Sequence, residues 1–147
     1  MLEPVTWSKQ RTYTDDLEKV AREFHGHGGP FLIIGLRMGI KALGVLDSKG
    51  WFNLRCIAYL RWEPPVSCVI DGIQISTGCT MGKHNIEVLD DDGVQAVFCK
   101  GDDSIELKVR DEVLKMVKES FKEENSTIDE LLEWLREVDD NEIFLLN

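Results

Sequence analysis

Residues 68–84 read Cys68-Val-Ile-Asp71-Gly-Ile-Gln74-Ile-Ser-Thr77-Gly-Cys79-Thr80-Met-Gly82-Lys83-His84. Two thiols, a carboxylate, a lysine and an imidazole fall in one short segment. Val69, Ile70 and Ile73 sit at helical i, i+3/i+4 spacing, which predicts a short buried helix. Gly78 and Gly82 then bracket Cys79-Thr80-Met81, and glycine permits positive φ and close approach of other groups. The stretch therefore predicts a buried helix feeding a tight loop that presents Cys79, with Lys83 just beyond it. A lysine beside a thiol favours the thiolate, the form that acts as nucleophile or metal ligand. The plainer alternative is a buried cysteine in a glycine-rich connection, since free cysteine is among the most buried residue types.

N-terminal to this stretch, residues 1–13 read as an entry arm anchored by Trp7 and Tyr13. Thr14-Asp15-Asp16 is a helix start, with Thr14 as N-cap and acids in the first turn. Leu17, Val20, Ala21 and Phe24 form one face of a helix over about 15–24. It stops at His25-Gly26-His27-Gly28-Gly29-Pro30, where three glycines and a proline oppose continuation. In an extended chain His25 and His27 point the same way and can converge on one ion. A histidine C-cap followed by a flexible turn is the alternative. Pro30 suits the first position of a second helix. Phe31 to Leu46 is apolar nearly all round, so that helix is central and buried. Gly35, Gly39 and Gly44 offer a small-residue groove for another element or subunit. Arg37 pairs with an acid, Asp71 being the candidate, faces a site, or snorkels to the surface.

C-terminally, Asp47 to Gly50 is a turn. Residues 53–62 alternate as a strand with Leu54, Cys56, Ala58 and Leu60 on one side. Glu63-Pro64-Pro65 ends it. Residues 85–89 and 94–100 read as a hairpin around Asp90-Asp-Asp-Gly93, and 104–110 as the third strand of that meander. Residues 111–121 and 127–138 are amphipathic helices. In the tail, residues 139–147, Ile143-Phe-Leu-Leu146 is too apolar to dangle and is expected to dock on the body or on a partner. Together these elements predict an α+β fold, a mostly antiparallel sheet packed with helices, in a single core domain over 1–147.

The chain has 17 basic and 27 acidic residues, a net charge of -10. That excludes a general nucleic-acid or anionic-membrane binder, because no basic stripe is available to neutralise phosphates. The acidic runs read as solvated turns and helix faces. Cys56, Cys68, Cys79 and Cys99 contain no CxxC pair, which excludes a four-cysteine zinc ribbon. The first residues have neither a basic start nor an apolar run, and Phe31–Leu46 is too short to span a bilayer. A cytoplasmic protein with reduced thiols is expected. Dinucleotide, P-loop and serine-hydrolase motifs are absent.

Several stretches together resemble a known family. They are His25-Gly-His27…Pro30, the glycine-rich helix with Gly35, Arg37 and Gly39, and Cys68…Asp71-Gly-Ile-Gln74…Thr77-Gly-Cys79-Thr80…Gly82-Lys83. They look like the FmdE family, which takes its name from a component of formylmethanofuran dehydrogenase. The ending Glu142-Ile143-Phe144 is also similar, and the resemblance covers roughly residues 14–146. It implies an α+β core, often dimeric, with a metal or active site where the His-x-His and Thr-Gly-Cys-Thr motifs meet. Carried over, that implicates His25, His27, Cys68, Asp71, Cys79 and Lys83. Many members have a cysteine just before the proline, where this chain has Gly29. Many also carry a C-terminal zinc finger; this sequence stops at Asn147, so the core alone is expected. The molybdenum or tungsten pterin and iron–sulfur clusters of the dehydrogenase belong to its other components, and no four-cysteine cluster motif is present here.

Three readings follow. In the favoured one, His25, His27, Cys79 and Cys68 bind a transition metal, zinc first and nickel or iron next, with a position open for water or substrate. Asp71 orients a ligand histidine, Lys83 or Arg37 receives an anionic substrate, and His84 is a spare candidate. A role in formylmethanofuran or one-carbon metabolism goes with the family name. In the second, Cys79 is a metal-free thiolate stabilised by Lys83 with a histidine base, so Cys79, Lys83 and Asp71 are the catalytic candidates. In the third, the domain is an accessory or assembly module of a larger redox complex. Phe31–Leu46 and Ile143–Leu146 suggest a homodimer.

Overall fold

The computed structural model describes residues 7–122 and 127–147. Helix α1 (Asp15–His25) starts where Thr14 Oγ1 accepts from Leu17 N at 3.1 Å, with Asp15, Asp16 and Glu18 in its first turn. Gly26, at φ 96°, ends it in the left-handed region and donates its N–H to the Arg22 carbonyl. The buried face differs from expectation. Val20 and Phe24 are exposed, while Ala21 and Glu18 are buried. Glu18 is admitted because Arg136 donates to both of its oxygens, at 2.7 and 2.9 Å, and Tyr13 OH donates to it as well.

Helix α2 (Pro30–Val45) has Pro30 at its start and an unbroken run of buried residues from Pro30 to Gly39. Helix α3 (Cys68–Thr77) ends at Gly78, which sits at φ 78° and donates to the Gln74 carbonyl. These two helices meet backbone to backbone. A Cβ on Gly35 would lie 2.1 Å from the Val69 carbonyl oxygen, and one on Gly72 2.4 Å from that of Leu32. A Cβ on Gly39 would meet Ser76 Oγ at 1.8 Å, whereas one on Gly44 meets nothing within 4 Å. The small-residue groove is therefore Gly35 and Gly39, and its occupant is α3 of the same chain.

A short 3-10 turn (Trp51–Asn53) leads into the sheet. Its strands are β1 (Arg55–Tyr59), β2 (Ile86–Leu89), β3 (Gln95–Lys100), β4 (Asp103–Val109) and β5 (Phe144–Leu146), in the order β2-β1-β3-β4-β5. All pairings are antiparallel except β1 with β2, which run parallel around α3. The fold is α+β with a mostly antiparallel sheet. The expected hairpin between 85–89 and 94–100 is corrected: Cys56 pairs with Ile86 on one side and Phe98 on the other, so β1 separates β2 from β3. The acidic turn carries the chain across the end of β1. Leu60 N donates to Leu89 O at 3.1 Å, Asp91 N to Leu60 O at 3.2 Å, and Trp62 N to Asp90 Oδ1 at 3.1 Å. Turn chemistry specifies a reversal but not which strand stands alongside, and the α3 crossover is long enough to seat β2 parallel to β1.

Helices α4 (Asp111–Ser120), α5 (Thr127–Glu137) and α6 (Asp140–Ile143) follow β4. Arg37 points from α2 to the end of α5. It donates to the Leu135 and Val138 carbonyls at 2.7 and 2.6 Å and to Asp140 Oδ1 at 2.9 Å. Its acid partner is thus Asp140, not Asp71, and its guanidinium satisfies carbonyls that a helix end leaves open. Ile143 and Phe144 are buried, and β5 pairs with β4 at Val109↔Phe144. Both segments behind the dimer expectation are largely used inside the chain. The arm is held by Lys9 N to Lys49 O at 2.9 Å and by Arg11 to Asp47 at 2.8 Å, with Tyr13 packed on the core; Trp7 is 65% exposed and is no anchor.

Alanine at Gly35 forces the α2–α3 crossing apart and is expected to cost about 2 kcal/mol or more, as overpacking does. Alanine at Gly44, in open space on the same helix, is expected to stabilise by about 0.5 kcal/mol. Urea unfolding of both variants measures this, and an unchanged midpoint for Gly35→Ala would contradict the crossing.

Candidate metal site

The left-handed stop at Gly26 leaves His25 as the last residue of α1 and puts His27 in the turn before α2. Opposite them, Cys68 opens α3, and Asp71 follows three residues on, so both face the same way. His25 Nδ1 lies 2.5 Å from Asp71 Oδ2. An ionised carboxylate only accepts, so Nδ1 carries a proton, and in the neutral imidazole that a metal ligand requires Nε2 holds the lone pair. That Nε2 is buried and has no hydrogen-bond partner. His27 Nδ1 is 2.6 Å from the Gly28 carbonyl, so Nδ1 is the donor there and the neutral ring carries its lone pair on Nε2 as well. The two rings are 4.4 Å apart between centroids. One potential ligand atom from each of His25, His27 and Cys68 lies within 4.8 Å of the other two.

Asp71 is itself held. Gln74 Nε2 stands 3.4 Å from its Oδ1, and Gln74 Oε1 accepts from Met81 N at 3.1 Å. A string of contacts thus runs from the loop after α3 through Gln74 and Asp71 to His25. Burial, and then the Asp71 carboxylate, push the Cys68 thiol above its ordinary range. A cation at this place acts the other way and favours the thiolate. Beside the group lies a cleft of about 390 Å³, lined by Trp62, Pro64, Ser67, Cys68, Gln74 and Met81 among others.

The donor set suits a metal. Two unprotonated imidazole nitrogens and a sulfur are a borderline-soft combination of the kind that holds zinc, nickel or iron. A buried nitrogen without a partner is costly to maintain, and a bound ion removes that cost. Among the described residues no other group of three His, Cys or acidic side chains comes so close together.

The other expected site residues lie elsewhere. Cys79 is 0% exposed, donates to the Leu54 carbonyl at 3.5 Å, and is not in the group. Burial pushes its thiol up, against the smaller opposing effects of the Thr77 hydrogen bond, Lys83 and Arg55. Gly78 does not present Cys79; it makes room for Trp51, whose Cδ1 would be 2.5 Å from a Cβ there. Lys83 Nζ sits 3.2 Å from Thr80 Oγ1 and 6.0 Å from the centre of the Phe52 ring, and does not line the His25 cleft. His84 is exposed at φ 61° and borders a neighbouring cleft with Arg55 and Trp62. Gln74, Trp62 and Met81 were not anticipated. The 68, 71, 74 spacing on one helix could have found Gln74; Trp62 and Met81 come from flanking loops whose path no local pattern gives. Among the described residues no helix is long and apolar enough to cross a membrane.

Comparison with known proteins is specific. The family described as "FmdE, Molybdenum formylmethanofuran dehydrogenase operon" matches residues 24–145. A protein of Archaeoglobus fulgidus, described as a probable S-adenosyl-L-methionine-binding protein, is 35% identical over 74 residues, which is 48% of this chain and 19% of that protein. The chain thus spans about a fifth of that relative's length. A crystal structure of a tungsten formylmethanofuran dehydrogenase FmdE-like protein from Syntrophus aciditrophicus superposes with a TM-score of 0.71 at 20% identity. The match covers 97% of this chain and 76% of that one, and the likeness is one of fold.

The burial pattern orders the thiols. In native protein, iodoacetamide is expected to label the half-buried Cys99 first and to reach Cys56 and Cys79 only on unfolding, as read by peptide mass spectrometry. Native labelling of Cys79 at the rate of Cys99 would contradict its placement.

Proposed function

The chain belongs to the FmdE family, and from that premise we propose that it is a metal-binding protein. His25 Nε2, His27 Nε2 and Cys68 Sγ hold one transition-metal ion, with a position left for a small ligand. The observation that carries this reading is the buried, unpartnered Nε2 of His25, set beside His27 and Cys68. Zinc is the first candidate, because it accepts nitrogen and thiolate without a demanding geometry; nickel and iron are next. When bound, such an ion supplies Lewis acidity toward a ligand at its open position.

The rest of the site prepares its donors. Asp71 sets the tautomer and orientation of His25, as carboxylates behind ligand histidines do. Gln74 steadies Asp71. Trp62, Pro64 and Met81 form an apolar wall of the cleft beside the group. Asp71 is thus a positioning residue, and neither Cys79 nor Lys83 has a part in this site. We further propose a role in formylmethanofuran or related one-carbon metabolism, as a metal-dependent component or an accessory module in the cytoplasm; the operon in the family's description supports the metabolic part of this reading.

Untagged protein stripped with a chelator and titrated with zinc is expected to take up about one ion per chain. His25→Ala and Cys68→Ser lose it, while Cys79→Ala and Lys83→Ala retain it. Asp71→Asn weakens binding by about 10- to 100-fold, the scale of other partners behind metal ligands. Calorimetry and elemental analysis read these outcomes. Equal uptake by His25→Ala and Cys68→Ser, or no uptake of zinc, nickel or iron by the parent protein, would overturn the reading.

A further inference from the structure

A second cleft, of about 650 Å³, opens on another part of the molecule and shares no lining residue with the first. Trp7, Trp51 and Phe52 line it, together with Arg11, Lys49 and Lys100. Phe52 is 79% exposed, the most exposed large apolar side chain described. Two more cations attend these rings: Lys9 Nζ lies 5.5 Å from the Trp51 ring centre, and Lys83 Nζ 6.0 Å from that of Phe52. Among the described residues the one acid in the lining, Asp47, is already paired with Arg11 at 2.8 Å. On a chain with ten more acids than bases, this is a marked local excess of positive charge.

The aromatic wall is built rather than incidental. Trp51 holds φ 53°, an unusual conformation for a bulky residue that persists only where surroundings enforce it. Its carbonyl accepts from Asn85 Nδ2 at 2.8 Å, and its ring and backbone lie against Gly78, where a Cβ would collide. Gly50 leaves room for Lys9: a Cβ there would be 2.5 Å from Lys9 Cγ. Burial, and then Lys83, pull the Lys9 ammonium below its ordinary range.

We infer that this cleft binds a small anion carrying a flat ring, of the nucleoside phosphate class, stacked on Trp51 or Phe52 with its phosphates toward Lys49 and Lys100. Aromatic faces accept any flat base, and the cations meet the phosphates. The volume lies within the range of small-molecule sites. A nucleic-acid strand fits less well. Its phosphates continue past the patch on a chain whose net charge is -10, which disfavours a longer polyanion. The inference is independent of the metal.

The test uses the whole chain and ADP as the probe, followed by isothermal titration calorimetry, with adenosine, pyrophosphate and a single-stranded oligonucleotide alongside. ADP is expected to bind more tightly than adenosine or pyrophosphate, and more weakly as salt rises. Phe52→Ala and Lys49→Gln, both at exposed positions, are each expected to weaken ADP about tenfold, the scale of one base–aromatic stack, with unchanged melting temperatures. His25→Ala leaves ADP binding unchanged. The inference is overturned by absence of ADP binding at millimolar concentration, by pyrophosphate binding as tightly as ADP, or by loss of ADP binding in His25→Ala. It is overturned too if the oligonucleotide binds more tightly than ADP.

Discussion

The contact on which this molecule depends is the one between two backbones, where Gly35 of α2 and Gly72 of α3 each leave no room for a methyl group. Helices that touch this closely cannot slide or rotate without collision, so α3 has one position relative to α2. From that position its first turn faces the end of α1, which brings Cys68 and Asp71 to His25. Its last turn delivers Gly78 beneath Trp51. The same helix is the crossover that makes β1 and β2 parallel. Both clefts are therefore referenced to a single helix crossing, although they share no residue in their walls.

Two buried ionic groups brace this arrangement from outside. Arg37 leaves α2 on the side away from α3 and closes the end of α5. Glu18 leaves α1 and receives Arg136 of α5. Burying a charge is unfavourable unless it is paired and hydrogen-bonded, and each of these is. Helix α5 is thereby tied to both helices that flank the His25–His27 turn, so the metal-ligand candidates rest on a frame rather than on a loose loop.

Much of this was legible in the sequence because it depends on local patterns. The Thr14 cap, the glycine stop after His25, the proline start of α2, the apolar run through Gly39 and the alternation of Leu54, Cys56, Ala58 and Leu60 are each properties of short segments. His25, His27, Cys68 and Asp71 stood out for the same reason. What escaped depended on distant neighbours. Arg37 could not reveal that its partner, Asp140, lies about a hundred residues on. The Asp90–Gly93 turn could not show that β1 would lie between the strands it joins. Cys79 looked presented because Gly78 and Gly82 suggest an open loop, yet Gly78 serves the packing of Trp51, and the cysteine falls inside the core. A glycine marks a place where something comes close, without saying what.

Gly29 bears on how such a site changes over evolutionary time. Its φ of 167° is ordinary extended backbone, open to any residue. A Cβ there would stand 3.9 Å from His27 Cε1 in otherwise open space. The family resemblance implies a cysteine at that position in other members, and two of the four glycine codons become cysteine codons by a single base change. A side chain can thus be added beside His27 without any adjustment of the scaffold.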